Sequence, residues 1–350
     1  MSIFKDHIDA MSAYKPPLEG RDPKRHLLLD FNERTLPVGD AIRKALVDYV
    51  NDGRLQMYPS YGDVVERIAD YARVQPDQVM ITNGSDQGID LIIRSACREG
   101  DEAIIPAPTF AMYGQCARIE NLKIIEPWYT RDKGYPLAEV LEAITERTRL
   151  IVVSNPNNPC GTLVGRDDIC TIAKAAPDAV VLVDECYFEY ASVTVADLVN
   201  QYPNILITRT FSKTWGMPSL RLGYIIAAPD NILALLNVRG PYDVNQMAIV
   251  AVRAGLANLQ GVEEYVDEVM QESKPMLERY LDEKGLPYWP SGANFIWVFF
   301  ENPGVVDKRL QEDGILVRPK ADMEGRTGLR ITLGTVEQTR RLMAVIDSVL

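Results

Sequence analysis

Four short polar segments of this 350-residue sequence could do chemistry together, because each follows an apolar run that is typical of a buried β-strand. The segments are residues 83–88, 155–161, 184–187 and 211–216, and the last is followed by Arg221. In a mostly parallel sheet, ligands bind beyond the carboxyl ends of the strands. The sequence therefore predicts one binding site built from these four loops.

Lys213 lies in the segment Phe-Ser-Lys-Thr-Trp-Gly, among small and aromatic residues. A lysine desolvated at a strand end has a lowered pKa, and its neutral amine can form an imine with a carbonyl compound. Ser212 and Arg221 offer a hydroxyl and a guanidinium that suit one phosphate group. Because a single lysine is nearly always a solvated surface residue, this interpretation depends on the other three loops.

Those three loops offer a phosphate cradle, a cluster of amides and a carboxylate. Residues 83–88 lead into an apolar helix whose free N–H groups could hold a phosphate, although an ordinary N-cap and turn has the same pattern. Residues 155–161, Asn-Pro-Asn-Asn-Pro-Cys-Gly, hold more amides than a tight turn needs. Asp184 ends an apolar run, where a carboxylate calls for a cationic partner, and the alternative is a surface salt bridge.

The elements that must position these loops alternate between apolar strands and helical patterns over residues 79–228, which predicts crossover units in a mostly parallel sheet. The predicted strands are residues 79–82, 102–106, 123–126, 150–154, 180–184, 205–210 and 223–227. The predicted helices among them are residues 86–98, 138–145 and 167–175. Beyond Pro229 the patterns predict helices at 245–259, 262–284 and 336–350, with strands near 294–300, 315–318 and 329–333.

This order of elements predicts an α/β protein with a large domain and a smaller α+β C-terminal domain. We expect an N-terminal arm at residues 1–36 that packs with the small domain, a large domain at 37–230 and the small domain at 231–350.

Composition narrows the classes of function. With 49 acidic and 37 basic residues the net charge is -12, which disfavours a nucleic-acid partner. Two histidines, both near the N-terminus, and five cysteines without a C-x-x-C pair disfavour a metal site and a histidine triad. Without a signal-peptide pattern or a long apolar run, we expect a cytoplasmic protein with no membrane contact.

Taken together, these motifs resemble the fold-type I pyridoxal-phosphate aminotransferases of classes I and II, and the histidinol-phosphate aminotransferase group in particular. The resemblance extends from Leu-Asp-Phe-Asn-Glu at residues 29–33 to Leu-Arg-Ile-Thr-Leu-Gly-Thr at 329–335. It implies that Lys213 is the Schiff-base lysine and proton carrier, and that Asp184 pairs with the pyridine nitrogen of the cofactor. It also implies that Asn158 and Tyr187 bind the phenolic oxygen and that Tyr113 stacks on the ring.

The resemblance implies further site residues. The catalytic residues are Lys213, Asp184 and Tyr187. The remaining cofactor-binding residues are Gly84, Ser85, Asp86, Tyr113, Asn158, Thr210, Ser212, Arg221 and Tyr58, the last reaching in from a second subunit of a homodimer. The implied substrate residues are Tyr14, Asn32, Arg318 and Arg330, of which Arg330 binds the α-carboxylate and Arg318 a substrate phosphate.

The reaction expected from this resemblance is transfer of an amino group between an amino acid, such as glutamate, and a second amine. Histidinol phosphate and aromatic amino acids are the options for that amine. A decarboxylase of the threonine-phosphate type is the alternative, since it shares the scaffold, and a regulator's effector domain would need a DNA-binding module that we do not find. At four positions the sequence departs from the usual residues of the family, and these departures bear on which substrate is bound. The positions are Arg34, Cys160, Cys186 and Trp215.

Overall fold

The computed structural model describes residues 3–13 and 15–350 of the chain. The strands, in chain order, are β1 (Leu27–Leu28), β2 (Val79–Thr82), β3 (Glu102–Ile104), β4 (Lys123–Ile125), β5 (Thr148–Ser154), β6 (Val180–Asp184), β7 (Ile205–Thr210), β8 (Gly223–Ile226), β9 (Tyr288–Trp289), β10 (Phe295–Val298), β11 (Ile315–Leu316), β12 (Arg318–Ala321) and β13 (Thr327–Thr332).

The α-helices are α1 (Asp6–Asp9), α2 (Asp40–Asn51), α3 (Val64–Ala72), α4 (Gly84–Ala96), α5 (Ala111–Ile119), α6 (Leu137–Glu142), α7 (Arg166–Ala175), α8 (Phe188–Ala191), α9 (Pro229–Leu236), α10 (Gln246–Leu256), α11 (Gln260–Asp267), α12 (Lys274–Glu283), α13 (Pro303–Glu312) and α14 (Val336–Asp347). A π-helical segment, Glu268–Ser273, joins α11 to α12.

The larger sheet has the strand order β2-β8-β7-β6-β5-β3-β4 within the described residues. All neighbouring pairs are parallel except those of β8, which runs antiparallel to both β2 and β7. The mostly parallel sheet expected from the sequence is confirmed. Since the central strands are buried on both faces, they read as continuous Val, Ile and Leu runs.

Helices cover both faces of this sheet and supply its core. On one face, Ile89, Ile92 and Ile93 of α4 pack with Met80 and Ile225. On the other, buried side chains of α3, α7 and α10 form a single cluster with the sheet. Each fully buried aliphatic side chain stabilises the fold by about 1.5–3 kcal/mol. These helices therefore fix the strand ends, and with them the loops that carry the polar residues.

The smaller sheet is antiparallel, with the order β12-β13-β10-β9. Ile296, Val298, Leu329 and Ile331 point to one side, where they pack in a hydrophobic cluster with residues of α12, α13 and α14. Trp297, on the opposite side, belongs to the hydrophobic cluster of the larger sheet. The second face of the small sheet is thus turned towards the large sheet.

The N-terminal segment contacts both parts of the molecule. Strand β1 pairs in parallel with β11, while Nε2 of His7 lies 3.1 Å from the carbonyl oxygen of Ile119 in α5. The predicted boundary at residue 230 assigns α10 to the small domain. Its buried residues, however, pack with those of α2 and α3 in the hydrophobic cluster of the large sheet. Placing α10 with the large sheet would move that boundary to about residue 259, which remains a prediction.

The sequence patterns missed several helices. They include α2, α3, α5, α9 and α13. The strand expected near residues 315–318 is two strands, since β11 pairs with β1 whereas β12 pairs with β13. None of the described helices has the length and apolar character needed to cross a bilayer.

Candidate active site

A cavity opens at the carboxyl ends of β5, β6 and β7, and all four predicted loops contribute to its wall. It is lined by Phe31, Glu33, Ser85, Asp86, Phe110, Tyr113, Ser154, Asn158, Asp184, Cys186, Tyr187, Thr210, Ser212, Lys213, Pro218 and Arg221. Parallel strands place their carboxyl ends along one edge of a sheet, so distant segments of sequence meet there.

Lys213 follows β7, and its amine is enclosed by the cavity wall. Its Nζ donates a hydrogen bond of 2.9 Å to the carbonyl oxygen of Phe31. Burial, reinforced by the positive charge of Arg330, lowers the pKa of Lys213 to about 8. A substantial fraction of this lysine is therefore a neutral amine near pH 8, as a nucleophile that attacks a carbonyl requires.

Asp184 ends β6 and is 5% exposed. The Tyr113 hydroxyl donates a short hydrogen bond to one carboxylate oxygen, and the backbone N–H of Cys186 donates one of 3.2 Å to the other. Burial raises the pKa of this carboxyl. No cationic side chain forms an ion pair with Asp184 in the described part of the chain, so these residues do not supply the cationic partner expected from the sequence.

The N-terminus of α4 forms the opposite end of the cavity. Gly84 begins this helix at φ +73°, and a Cβ on it would lie 2.5 Å from a terminal nitrogen of Arg221. Arg221 donates to Asp86 at 2.9 Å, and Ser85 and Ser212 also line the wall. The close approach of a guanidinium to a free helix N-terminus suits a bound anion.

Thr210, the last residue of β7, also lies in the wall. Its hydroxyl accepts a hydrogen bond of 3.1 Å from the backbone N–H of Ser212. This contact holds the turn between β7 and Lys213.

Arg330 of β13 reaches the wall of the same cavity from the small sheet, through its contact with Asn158. It donates to the Asn158 side-chain oxygen at 2.6 Å and to the carbonyl oxygen of Asp30 at 2.5 Å. Asn32 is fully buried, and its amide donates at 3.0 Å to the Tyr187 hydroxyl, whose ring lies 5.9 Å from Lys213 Nζ. The predicted residues Asn32, Asn158, Tyr187 and Arg330 thus form one connected group beside the lysine.

Three other predicted site residues are not part of this connected group. The Arg318 guanidinium lies 5.2 Å from the centre of the Phe31 ring, at the edge of the site. Tyr58 is 77% exposed and stacks on Tyr242 at 4.5 Å, so it does not line this cavity of its own chain. Tyr14 lies outside the described residues.

Tyr113 is part of the cavity wall but is more deeply buried than its neighbour Phe110. Tyr113 has no exposed area, and its hydroxyl is committed to Asp184 and to Ser154. Phe110 packs edge-on against it at 5.8 Å and, unlike Tyr113, is only partly buried in the cavity wall. Sequence reasoning missed Phe110, although it stands three residues earlier in the quoted motif.

The four departures lie at different depths. Cys186 lines the cavity, whereas Cys160 is buried behind it against Asn157 and Thr162. Trp215 packs in the core against Tyr71 and Phe211 rather than in the cavity. Arg34 ties the N-terminal segment to the carbonyl oxygens of Thr214 and Gly261 at 3.2 and 2.9 Å. Of these four residues, only Cys186 lines the cavity.

Comparison with known proteins is consistent with this geometry. Residues 26–346 match the model of the family described as aminotransferase class I and II. The chain belongs to this family. Histidinol-phosphate aminotransferase 2 of Hydrogenovibrio crunogenus is 32% identical, over 100% of this chain and 98% of that protein. A histidinol-phosphate aminotransferase from Geobacillus sp. is also 32% identical, over 99% and 98% of the two chains.

Solved structures share the fold. The histidinol-phosphate aminotransferase of Sinorhizobium meliloti, in complex with pyridoxal-5'-phosphate, superposes with a TM-score of 0.88 at 22% identity, covering 100% of this chain and 99% of that one. The L-threonine-O-3-phosphate decarboxylase of Porphyromonas gingivalis superposes with a TM-score of 0.77 at 22% identity, covering 92% and 98%. Membership in the aminotransferase family makes this chain a transaminase that uses pyridoxal phosphate, as the sequence resemblance implied.

The residues present fit that cofactor. The buried Asp184 carboxylate has no cation opposite it among the described residues, and a protonated pyridine nitrogen would supply one. The α4 N-terminus with Arg221 suits the phosphate group. The amine of Lys213 has the lowered pKa that attack on an aldehyde requires.

Proposed function

We propose that this transaminase exchanges the amino group between the glutamate and 2-oxoglutarate pair and histidinol phosphate, with an aromatic amino acid as the alternative amine. The observation that carries the proposal is the arrangement of cations at the substrate end of the cavity. Arg330 is fixed there by Asn158 and the backbone of Asp30, and Arg318 lies next to the cavity residue Phe31. Relatives at 32% identity that are named histidinol-phosphate aminotransferases support the same substrate.

In this proposal, residues of the large domain bind the cofactor. Asp184 would hold the pyridine nitrogen in its protonated form, and the phosphate would lie among Ser85, Asp86, Ser212 and Arg221. Asn158 and Tyr187 would bind the phenolic oxygen. Pyridoxal phosphate supplies, when bound, a ring that accepts the electrons of the substrate's α-carbon.

We assign the ring-stacking position to Phe110 in place of Tyr113. The partly exposed Phe110 ring can cover a planar ligand, whereas the buried Tyr113 hydroxyl orients the Asp184 carboxylate. Tyr113 then acts through Asp184 and does not touch the ring.

Lys213 would accept the proton from the substrate's α-carbon and return it to the neighbouring carbon. The carbonyl oxygen of Phe31, 2.9 Å from Nζ, orients the amine. Because burial keeps the pKa of Lys213 near 8, the amine can both take up and release a proton close to neutral pH.

The substrate end is assigned to the small domain and the N-terminal arm. Arg330 would bind the α-carboxylate as a bidentate fork. Asn32 would hold Tyr187 in place, and Arg318 would bind the distal anion. Tyr14 remains a predicted contact.

We also propose a cytoplasmic homodimer with shared sites. Tyr58 is exposed, away from its own cavity, within a patch that includes the exposed Leu55, Met57 and Tyr242. A patch of large apolar side chains on a surface is typical of a protein interface. Seating a second copy on this patch would cover it and bring Tyr58 to the partner's cavity.

A substrate panel tests the reaction. Incubation of the loaded enzyme with glutamate alone should convert the cofactor to its amine form, with a change in absorption spectrum. Histidinol phosphate, phenylalanine, tyrosine and tryptophan are then compared as amines, and we expect the largest kcat/KM for histidinol phosphate. Release of carbon dioxide from threonine phosphate without any response to glutamate would favour a decarboxylase and contradict the proposal.

The variant Arg318→Met separates the two amine classes. Loss of a charge-assisted contact should lower kcat/KM for histidinol phosphate by about 10- to 100-fold, with a small effect on phenylalanine. Equal losses for both amines would contradict the role of Arg318 in binding a phosphate.

A further inference from the structure

One face of the small sheet carries three cationic side chains. Arg318 of β12 lies directly opposite Arg330 of β13, and Lys320 lies opposite Gly328. Since side chains alternate between the faces of a strand, Arg318 and Lys320 point to the same side. Directly paired residues of antiparallel strands also share a face. Lys320 is therefore on the face that holds Arg318 and Arg330.

That face is turned towards the active site. Arg330 bonds Asn158 in the cavity wall, and the backbone N–H of Asn32 donates to the Thr332 hydroxyl at 3.0 Å. The Phe295 ring packs against the Tyr187 ring at 5.3 Å. Arg330, Thr332 and Phe295 of this face thus contact residues in or beside the cavity wall, and Lys320 extends the row beyond Arg330 and Arg318 by one position.

Lys320 lacks the neutralising partner that a buried lysine usually has. It is partly buried between the exposed Pro319 and Ala321, and no carboxylate forms an ion pair with it or with Arg318 among the described residues. Burial, followed by repulsion from Arg330 and Arg318, lowers the pKa of Lys320 to about 8. Arg21, which also lies against the Phe31 ring, is by contrast paired with both Asp30 and Glu33.

We propose that Lys320 is a specificity-determining residue that, together with Arg318, binds a dianionic phosphate ester group of the amine substrate. This inference rests on the proposed transaminase site. Arg330 is assigned to the α-carboxylate, which leaves Arg318 and Lys320 for the distal group. A phosphate monoester carries a charge of about -1.5 to -2 at neutral pH, so it matches two cations better than a carboxylate or a neutral aromatic ring does.

The indole of Trp297 packs over Gly328, the residue opposite Lys320 on the neighbouring strand. Gly328 has no side chain, and a Cβ there would lie 2.7 Å from the indole nitrogen of Trp297. That indole N–H is buried and has no hydrogen-bond partner within the described residues. This N–H donor shares one face of the small sheet with Arg318 and Lys320, neither of which has a carboxylate partner among the described residues, and such a set of groups suits an anion.

The test compares Lys320→Met and Lys320→Arg with the control Lys308→Met, in which the replaced lysine lies on α13 and is 80% exposed. All are studied as loaded enzymes. We expect Lys320→Met to raise KM for histidinol phosphate by about 10- to 100-fold with little change in kcat. Lys320→Arg should retain most of the affinity, and phenylalanine and glutamate should change by less than about threefold.

A second measurement keeps this inference separate from the proposed substrate. Inorganic phosphate and histidinol phosphate are tested as competitive inhibitors of the spectral change that glutamate produces. If the wild type does not turn over histidinol phosphate, the proposed substrate is wrong, yet weaker inhibition in Lys320→Met alone would still support phosphate binding by Lys320. Unchanged inhibition in Lys320→Met, or equal losses for phosphorylated and aromatic amines, would overturn the inference.

Discussion

Asp184 and Glu185 are consecutive buried carboxylates, but they lie in different electrostatic environments. Glu185 accepts two hydrogen bonds from Arg209, at 2.9 and 2.7 Å, and others from Thr194 and the backbone of Val195. Asp184 faces the cavity, where the Tyr113 hydroxyl and the backbone N–H of Cys186 donate to it, and it has no ion-pair partner among the described residues. One carboxylate is neutralised by the fold, and the other is left for a ligand.

The difference separates charges that stabilise the protein from charges that serve its chemistry. A buried ion pair is costly to break, since removal of one partner leaves an uncompensated charge in a medium of low dielectric constant. A buried charge without a partner lowers the stability of the empty protein and is stabilised when the ligand binds. Replacement of each carboxylate in turn tests this distinction.

Replacement Asp184→Asn should reduce kcat by on the order of a hundredfold or more, because the pyridine nitrogen would lose its anionic partner. The stability of the cofactor-free protein should be unchanged or higher at neutral pH. The pKa of Asp184 is raised by burial, so its ionised form costs stability above the unfolded pKa of about 4. The prediction is checked by measuring kcat and the thermal unfolding of the wild type and of Asp184→Asn. A variant with a large loss of stability and a normal kcat would contradict it.

Replacement Glu185→Gln should show the opposite pattern. Arg209 would remain buried with a weakened partner, so the free energy of unfolding should fall by about 3–5 kcal/mol. The folded fraction should keep a kcat within a few-fold of the wild type. The control is Asp197→Asn, which removes the exposed ion pair with Arg166 and should cost no more than about 1 kcal/mol. If denaturant unfolding gave equal losses in the free energy of unfolding for Glu185→Gln and Asp197→Asn, the stabilising role of Glu185 would be contradicted.

The sequence was sufficient to predict the strands of the large sheet and the position of Lys213 at the end of one of them. Continuous apolar runs predicted the strands β2 to β8 within a few residues, because strands buried on both faces have little other choice of residue. The position of loops at strand ends then placed Lys213, Asp184 and Asn158 on one cavity.

Side-chain partners could not be predicted in the same way. The bond of Tyr113 to Asp184 depends on how α5 is rotated against β6, and α5 itself was missed. Lys320 was overlooked because its significance comes from the register of β12 with β13, which the sequence does not reveal. Contacts between distant segments require the packed structure.

The smallest expected effect is the pH dependence of cofactor capture. The neutral form of Lys213 is the nucleophile, and its pKa is lowered by burial to about 8. The rate at which the cofactor-free protein gains the absorbance of bound cofactor should therefore rise from pH 6 to about 8 and then level off. A rate that keeps rising towards pH 10, as for an ordinary lysine with a pKa of about 10.4, would show that the amine is solvated.

Reductive trapping identifies directly the lysine that holds the cofactor, which we expect to be Lys213. The loaded protein is reduced with borohydride, digested and analysed by mass spectrometry. We predict one pyridoxyl adduct, on the peptide that contains Lys213, and its loss together with turnover in Lys213→Ala. An adduct on another lysine, such as Lys320 with its similarly lowered pKa of about 8, or turnover retained by Lys213→Ala, would contradict the account.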